Sequence, residues 1–354
     1  MTIIYFLLLL SLIILIHEAG HLVAAKIFGV YCYEYSFGMG PLLLKKKGKE
    51  TQYSLRLLPI GGYVAMAGET DGDELYPDVV VPQGRRITEI AAWKKIIIML
   101  AGVFMNFVLA FMIFSLVILS QGQYTTSPKA VVASVMEDSP AEKAGFEEGD
   151  KIISITKEDG SSVKPDTFLD MQAFSSGYSG VETYEVERDG EVLTISCTPE
   201  YNEDSESYII GITGESGVVN NVNLLNCWGY GIDEMKSVTK LMLTTLKGLI
   251  FHGSGLDQLS GPVGIYQATE TYASYGFSAF MLLVAQLSLN VGIFNLLPLP
   301  VLDGGQVVIT LLEWITHKTF SQKVKTCIMI ACWVVLIGLM VFVTWNDISR
   351  LIGG

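Results

Sequence analysis

MTIIYFLLLLSLIILIHEAGHLVAAKIF, residues 1–28, is apolar enough to live in lipid, yet it carries two imidazoles and a carboxylate in its second half. His17 and His21 are four apart, so a helix stacks them on one face, with Glu18 beside the first. H-E-x-x-H is the arrangement in which two histidines hold zinc and the glutamate activates the attacking water. A lone histidine is more often a satisfied core residue than a ligand. Here two of the chain's four histidines fall at this spacing inside an apolar run. Ionisable groups among Leu and Ile cost on the order of several kcal/mol unless paired or ligated, so they mark a functional site by default. The run has no basic n-region and no small-residue cleavage site, and it continues to Lys26; it reads as a retained transmembrane helix, 1–28, and not as a secretory signal.

The rest of the composition agrees with a membrane setting. Half of the 354 residues are hydrophobic, only 17% are charged, and the mean hydropathy is +0.44; long apolar runs account for the low charge. A net charge of −13 argues against a nucleic-acid partner. The five cysteines, Cys32, Cys197, Cys227, Cys327 and Cys332, show no CxxC spacing, which gives neither a disulfide framework nor a cysteine zinc site.

Residues 29–92 are too polar to span. YEYSFGMGPLLLKKK, ETQYSLRLLPIGG and YVAMAGE are short, aromatic or branched runs broken by Gly and Pro, which predicts strands and hairpins. Lys45, Lys46, Lys47, Lys49, Arg56, Arg85, Arg86, Lys94 and Lys95 cluster here, so the positive-inside rule puts this region on the cytoplasmic side and the N-terminus outside. A second span follows at 93–120. It contains AGVFMN, Ala101 to Asn106: small residues suited to close helix contact, and an asparagine that either packs between helices or faces the site.

Residues 121–223 turn acidic and read as a domain outside the membrane. AVVASV, KIISI, TYEVERDGEVLTISC and YIIGIT alternate as strands, with Asp189-Gly190 a hairpin turn. In SPAEKAGFEEGDKI, Ser139-Pro140 starts a short helix, Gly145 ends it and Gly149-Asp150 turns into the next strand. A small sheet with an open edge suits strand addition by an extended peptide. In 224–276, GIDEMKSVTKLMLTTLKGLIF predicts an amphipathic helix, lying at the membrane surface or packed on the soluble domain, and LSGPVGIYQA a bent loop. Residues 277–316 form a third span broken at Pro298 and Pro300. A broken membrane helix survives only where the freed backbone lines protein or a wet cavity. Residues 317–325 make a cytoplasmic turn, and 326–346 a fourth span.

Asp303 stands at the break in the third span, at the depth the topology gives His17 and His21. A catalytic zinc takes three protein ligands at about 2.0–2.2 Å and keeps one position open. The competing third ligands are Glu34, Asp71, His252 and His317: His252 falls on the wrong side, His317 in the turn, and Glu34 and Asp71 have no apolar setting that forces a partner on them. Asp303 has one other use, as a cap on the half-helix that follows. Glu18 is then the base, while Asn295 or Asn290 offers an amide to the substrate backbone or pairs between helices.

HEAGH, GMGP, GGYVAMAGE, SPAEKAGFEEGD, SGPVGI and NLLPLPVLDGG, in this order along nearly the whole chain, resemble the site-2 protease family in its bacterial branch. The resemblance implies a polytopic α-helical membrane protein of four transmembrane helices, with a membrane-associated β-sheet and an inserted extracytoplasmic PDZ domain, in the bacterial cytoplasmic membrane. It implies Zn2+ held by His17, His21 and Asp303, Glu18 as catalytic base and Asn295 as a substrate contact. The expected activity is that of an intramembrane zinc endopeptidase cutting transmembrane segments of pre-cut single-pass proteins, such as anti-sigma factors and remnant signal peptides. The expected partners are those substrates, a peptide at the PDZ domain and the lipid bilayer. Only one PDZ-like unit fits between the spans, where the best-known members of the branch have two.

Overall fold

The computed structural model describes residues 2–69, 75–126, 128–175, 177–202, 207–215, 217–252, 260–318 and 320–353, without the side chains at 60, 248–252, 322 and 350–353. Two compact units emerge, one of 1–117 with 228–354 and one of 118–227.

The N-terminal apolar run is helix α1 (Thr2–Ile27), and two long strands follow, β1 (Cys32–Lys47) and β2 (Gln52–Met66). Glycines let these strands fold back on themselves, with Gly38, Gly40 and Gly61 at positive φ. Tyr35, Ser36 and Phe37 therefore have partners on both sides: Val64, Tyr63 and Gly62 on one, Tyr53, Ser54 and Leu55 on the other. The result is a sheet whose edges are Gly62–Met66 and Leu42–Lys47. Hydrogen bonds tie it to α1, among them one from Ser11 Oγ to the Pro59 carbonyl (2.9 Å) and one from Tyr35 Oη to the Leu15 carbonyl (2.8 Å). Beneath it Leu22, Ala25, Val30, Cys32, Val64, Met66 and Ile98 form one buried cluster. Helix α2 (Ala92–Gln121) comes so close to α1 that a Cβ at Gly20 would sit 2.3 Å from the Ala101 carbonyl oxygen.

The second unit begins with β3 (Gln123–Thr125) and β4 (Val132–Val135). Helix α3 (Pro140–Ala144) starts where the sequence predicts: the Ser139 hydroxyl accepts from the Glu142 amide and Gly145 closes the helix in the left-handed region. Strand β5 (Lys151–Lys157), β6 (Ser162–Val163), α4 (Phe168–Ser175), β7 (Glu182–Arg188) and β8 (Glu191–Cys197) follow, the strands in the order β6-β5-β7-β8. Asp189 and Gly190, both at positive φ, make the two-residue turn between β7 and β8. The hairpin of β9 (Glu200–Asn202) and β10 (Ser207–Ile209) precedes β11 (Ile212–Gly214), which pairs with β4, and β12 (Val219–Asn221), which pairs with β3. YIIGIT is thus two strands and not one run, divided at Gly211, where positive φ and a close approach to Ser139 leave room for no side chain. Helix α4 has weak amphipathic spacing and gives no sequence signal, yet it buries Phe168 and Met171 against Val132, Ile155, Tyr184 and Val186.

The chain then returns to the first unit. Helix α5 (Cys227–His252) lays Met235, Val238 and Met242 on the cluster that Leu9, Ile13, Phe114, Leu283 and Leu289 form. Its apolar face is used on the long helices. Residues read as a bent loop are helix α6 (Pro262–Ser274). Pro262 supplies a helical φ at the first position, and the Asp347 carboxylate accepts from the Gly261 and Gly264 amides at 2.9 Å each, a cap from a distant part of the chain that no local reading reveals. Helix α7 (Phe277–Asn295) stops before the prolines, α8 (Asp303–Thr316) resumes after them, and α9 (Gln322–Gly353) extends past the predicted span at both ends. Among the described residues four helices are long and apolar enough to cross a membrane: α1, α2, α7 and the Lys323–Ser349 part of α9.

Candidate metal centre

The break between α7 and α8 is built on glycine. A Cβ at Gly304 would lie 2.3 Å from the Leu296 carbonyl oxygen, and one at Gly305 would lie 2.0 Å from that of Leu299, so the proline segment folds back over the first turn of α8 only because both positions lack a side chain. This closeness fixes Asp303 as the first residue of α8. The cap position is Leu302, without a side-chain hydrogen bond, so Asp303 is not spent on capping.

Its Oδ2 faces α1, 3.1 Å from His17 Nε2 and 3.5 Å from His21 Nε2, and the two Nε2 atoms are 3.2 Å apart. Donors bound tetrahedrally at about 2.0–2.1 Å are separated by about 3.3 Å, so these three atoms have the spacing that one face of a zinc tetrahedron requires. They are the group of His, Cys, Asp and Glu donors suited to a metal among the described residues. His21 Nδ1 lies 2.8 Å from the Ile98 carbonyl, which only accepts; the neutral ring therefore keeps its proton on Nδ1 and turns a lone pair on Nε2 toward Asp303. Asp303 Oδ2 is buried with no hydrogen-bond donor on it among the described residues. A carboxylate oxygen and imidazole lone pairs gathered out of water repel one another unless a cation sits among them. The donor set and its spacing fit zinc.

Gly102 of α2 makes room for the rings. A Cβ there would stand 2.4 Å from His21 Nε2 and 2.8 Å from His17 Cε1. The sequence signals this position only as one small residue in AGVFMN, and it signals the Ile98 carbonyl not at all.

Glu18 lies within electrostatic reach of His17, His21 and Asp303 and has the Val64 backbone as a hydrogen-bond partner. The edge Gly62–Met66 runs past it, with an ideal Cβ at Gly62 falling 3.6 Å from Glu18 Cγ. Asn295 is the last residue of α7, half-buried, and none of the distances above involves it. Of the competing ligands, Glu34 is fully buried, contrary to the sequence expectation of a polar setting, but its carboxylate is taken by Arg56, Tyr63 and Tyr76. His317 closes the far end of α8 at positive φ. Asp71 and the side chain of His252 lie outside the described residues.

Comparison with known proteins gives one family. The model of peptidase family M50 matches residues 5–339. A Clostridium perfringens protein named as a zinc metalloprotease is 36% identical over 350 residues, with 98% of each chain covered. The zinc metalloprotease RasP of Shouchella clausii is 32% identical and the regulator of sigma-W protease RasP of Bacillus subtilis 31% identical, each over 424 residues and 99% of both chains. Those two alignments are longer than the 354 residues here, so the RasP proteins carry segments this chain lacks.

Proposed function

This chain belongs to peptidase family M50, the site-2 protease family, and is a zinc metalloendopeptidase; from that premise we propose that it cuts transmembrane segments within the bilayer, with His17, His21 and Asp303 as zinc ligands and Glu18 as base. The observation that carries the reading is the triangle of three donors with Glu18 beside it. Zinc supplies Lewis acidity and acidifies water there. Glu18 takes a proton from the water that adds to the scissile carbonyl and passes it to the amine as the C–N bond breaks. A substrate helix satisfies its own amides, so it must unwind to be cut; the edge Gly62–Met66 offers replacement hydrogen bonds by strand pairing next to Glu18. Asn295 holds the substrate backbone near the break.

The lysine-rich β region is assigned to the cytoplasmic side of a bacterial membrane and residues 121–223 to the outside, as a PDZ domain that receives a peptide or a substrate segment. The substrates are single-pass proteins already shortened outside, of the anti-sigma factor or remnant signal peptide kind. A tagged single-span substrate tests this. Glu18→Gln should keep its zinc and lose at least about 100-fold in cleavage rate; a variant that cuts as fast as the parent would overturn the mechanism.

A further inference from the structure

Ile98, Gly102 and Asn106 are four apart on α2 and form one ridge against the imidazoles. The first gives a carbonyl to His21, and the second leaves a gap for the rings. The third has no role in the reading above. Asn106 is fully buried, and its backbone carbonyl accepts from Ser288 Oγ of α7 at 2.9 Å, which pins its position. Its amide lies 3.2 Å from His17 Nδ1, while Oδ1 is buried with no partner among the described residues.

An amide presents either a donor or an acceptor to that nitrogen. With Nδ2 turned to it, Nδ1 must accept; the proton of the neutral ring then sits on Nε2, where it blocks ligation, and Oδ1 is left unpaired. Turned by half a rotation, Oδ1 accepts from Nδ1–H and frees the Nε2 lone pair toward Asp303 and His21, the state that the Ile98 carbonyl already imposes on His21. We infer that Asn106 is a positioning residue for zinc, holding His17 in the Nδ1–H tautomer through Oδ1. One ridge of α2 thereby sets the tautomer of both histidines and leaves the space they occupy.

This inference rests on His17 being a zinc ligand, and the experiment separates the two. In full-length chain labelled with 15N-histidine, the zinc-free protein should show both His17 and His21 protonated at Nδ1. Asn106→Leu, similar in volume and without an amide, should move His17 alone toward Nε2–H and weaken zinc binding by about 10–100-fold in chelator competition. Asn106→Asp, which keeps an acceptor, should restore both. A parent chain that holds no zinc would sink the ligand assignment itself. Zinc held equally well by parent and Asn106→Leu, with the His17 tautomer unmoved, would sink the role of Asn106 alone. Should Asn106→Leu fail to fold, the parent spectrum decides: His17 protonated at Nε2 overturns the inference.

Discussion

Two carboxylates of the first unit are taken out of water in opposite ways. Glu34, 0% exposed in β1, accepts from Arg56 Nη2 at 3.0 and 3.1 Å, from Tyr63 Oη at 2.8 Å and from Tyr76 Oη. Burial pushes its carboxyl up, but the donors around it, Ser54, Tyr76, Tyr63 and Arg56, outweigh burial and hold it below the usual glutamate range. Among the described residues Asp303 has no such donors on Oδ2; what faces it are two ring nitrogens. Burial by itself therefore does not mark a site. A buried carboxylate supplied with donors is part of the framework, whereas one surrounded by other acceptors calls for a cation.

The contrast breaks if the two residues respond alike. Asp303→Ala should weaken zinc binding by more than about 100-fold, beyond what loss of a supporting group costs, and abolish cleavage; full zinc content after dialysis would move the third ligand elsewhere. Gly102→Ala places a methyl against both rings and should lower zinc affinity by about 10–100-fold in the same chelator competition. Glu34→Gln should leave zinc per folded chain unchanged and lower stability by about 2–3 kcal/mol, read from hydrogen exchange of the β1 and β2 amides, because Arg56 loses its partner while remaining only 21% exposed. Zinc loss from the folded Glu34→Gln chain would erase the distinction. The smallest effect concerns acid. The folded Glu34 carboxyl sits below its unfolded value, so its stabilisation is present above about pH 4.3 and is lost as pH falls through the folded value. The acid limb of the exchange profile should flatten in Glu34→Gln.

Local signals carried much of the fold. Hydropathy and helix spacing located α1, α2, the α7–α8 pair and α9, and Ser139-Pro140 with Gly145 bounded α3 because capping involves neighbours in sequence. Helix α6 has no local signal because Asp347 caps it from far along the chain, and α4 has none because its two buried residues make too weak a pattern over eight positions. At the site, H-E-x-x-H and Asp303 stand out as charge in an apolar stretch, but the burial of Glu34 leaves no mark in the sequence because its donors lie in other segments of the sheet and loop.

Residue order alone shows charged groups set within apolar runs, on α1 and at the break before α8, since hydropathy and residue type are properties of each segment in isolation. It took the packed fold to show that Asp303 meets both imidazoles at the edge length of a zinc tetrahedron, that glycines at 102, 304 and 305 make this approach sterically possible, and that Glu34 is already satisfied. Pairing and desolvation depend on which distant groups arrive at a point in space, and that is settled when the helices pack.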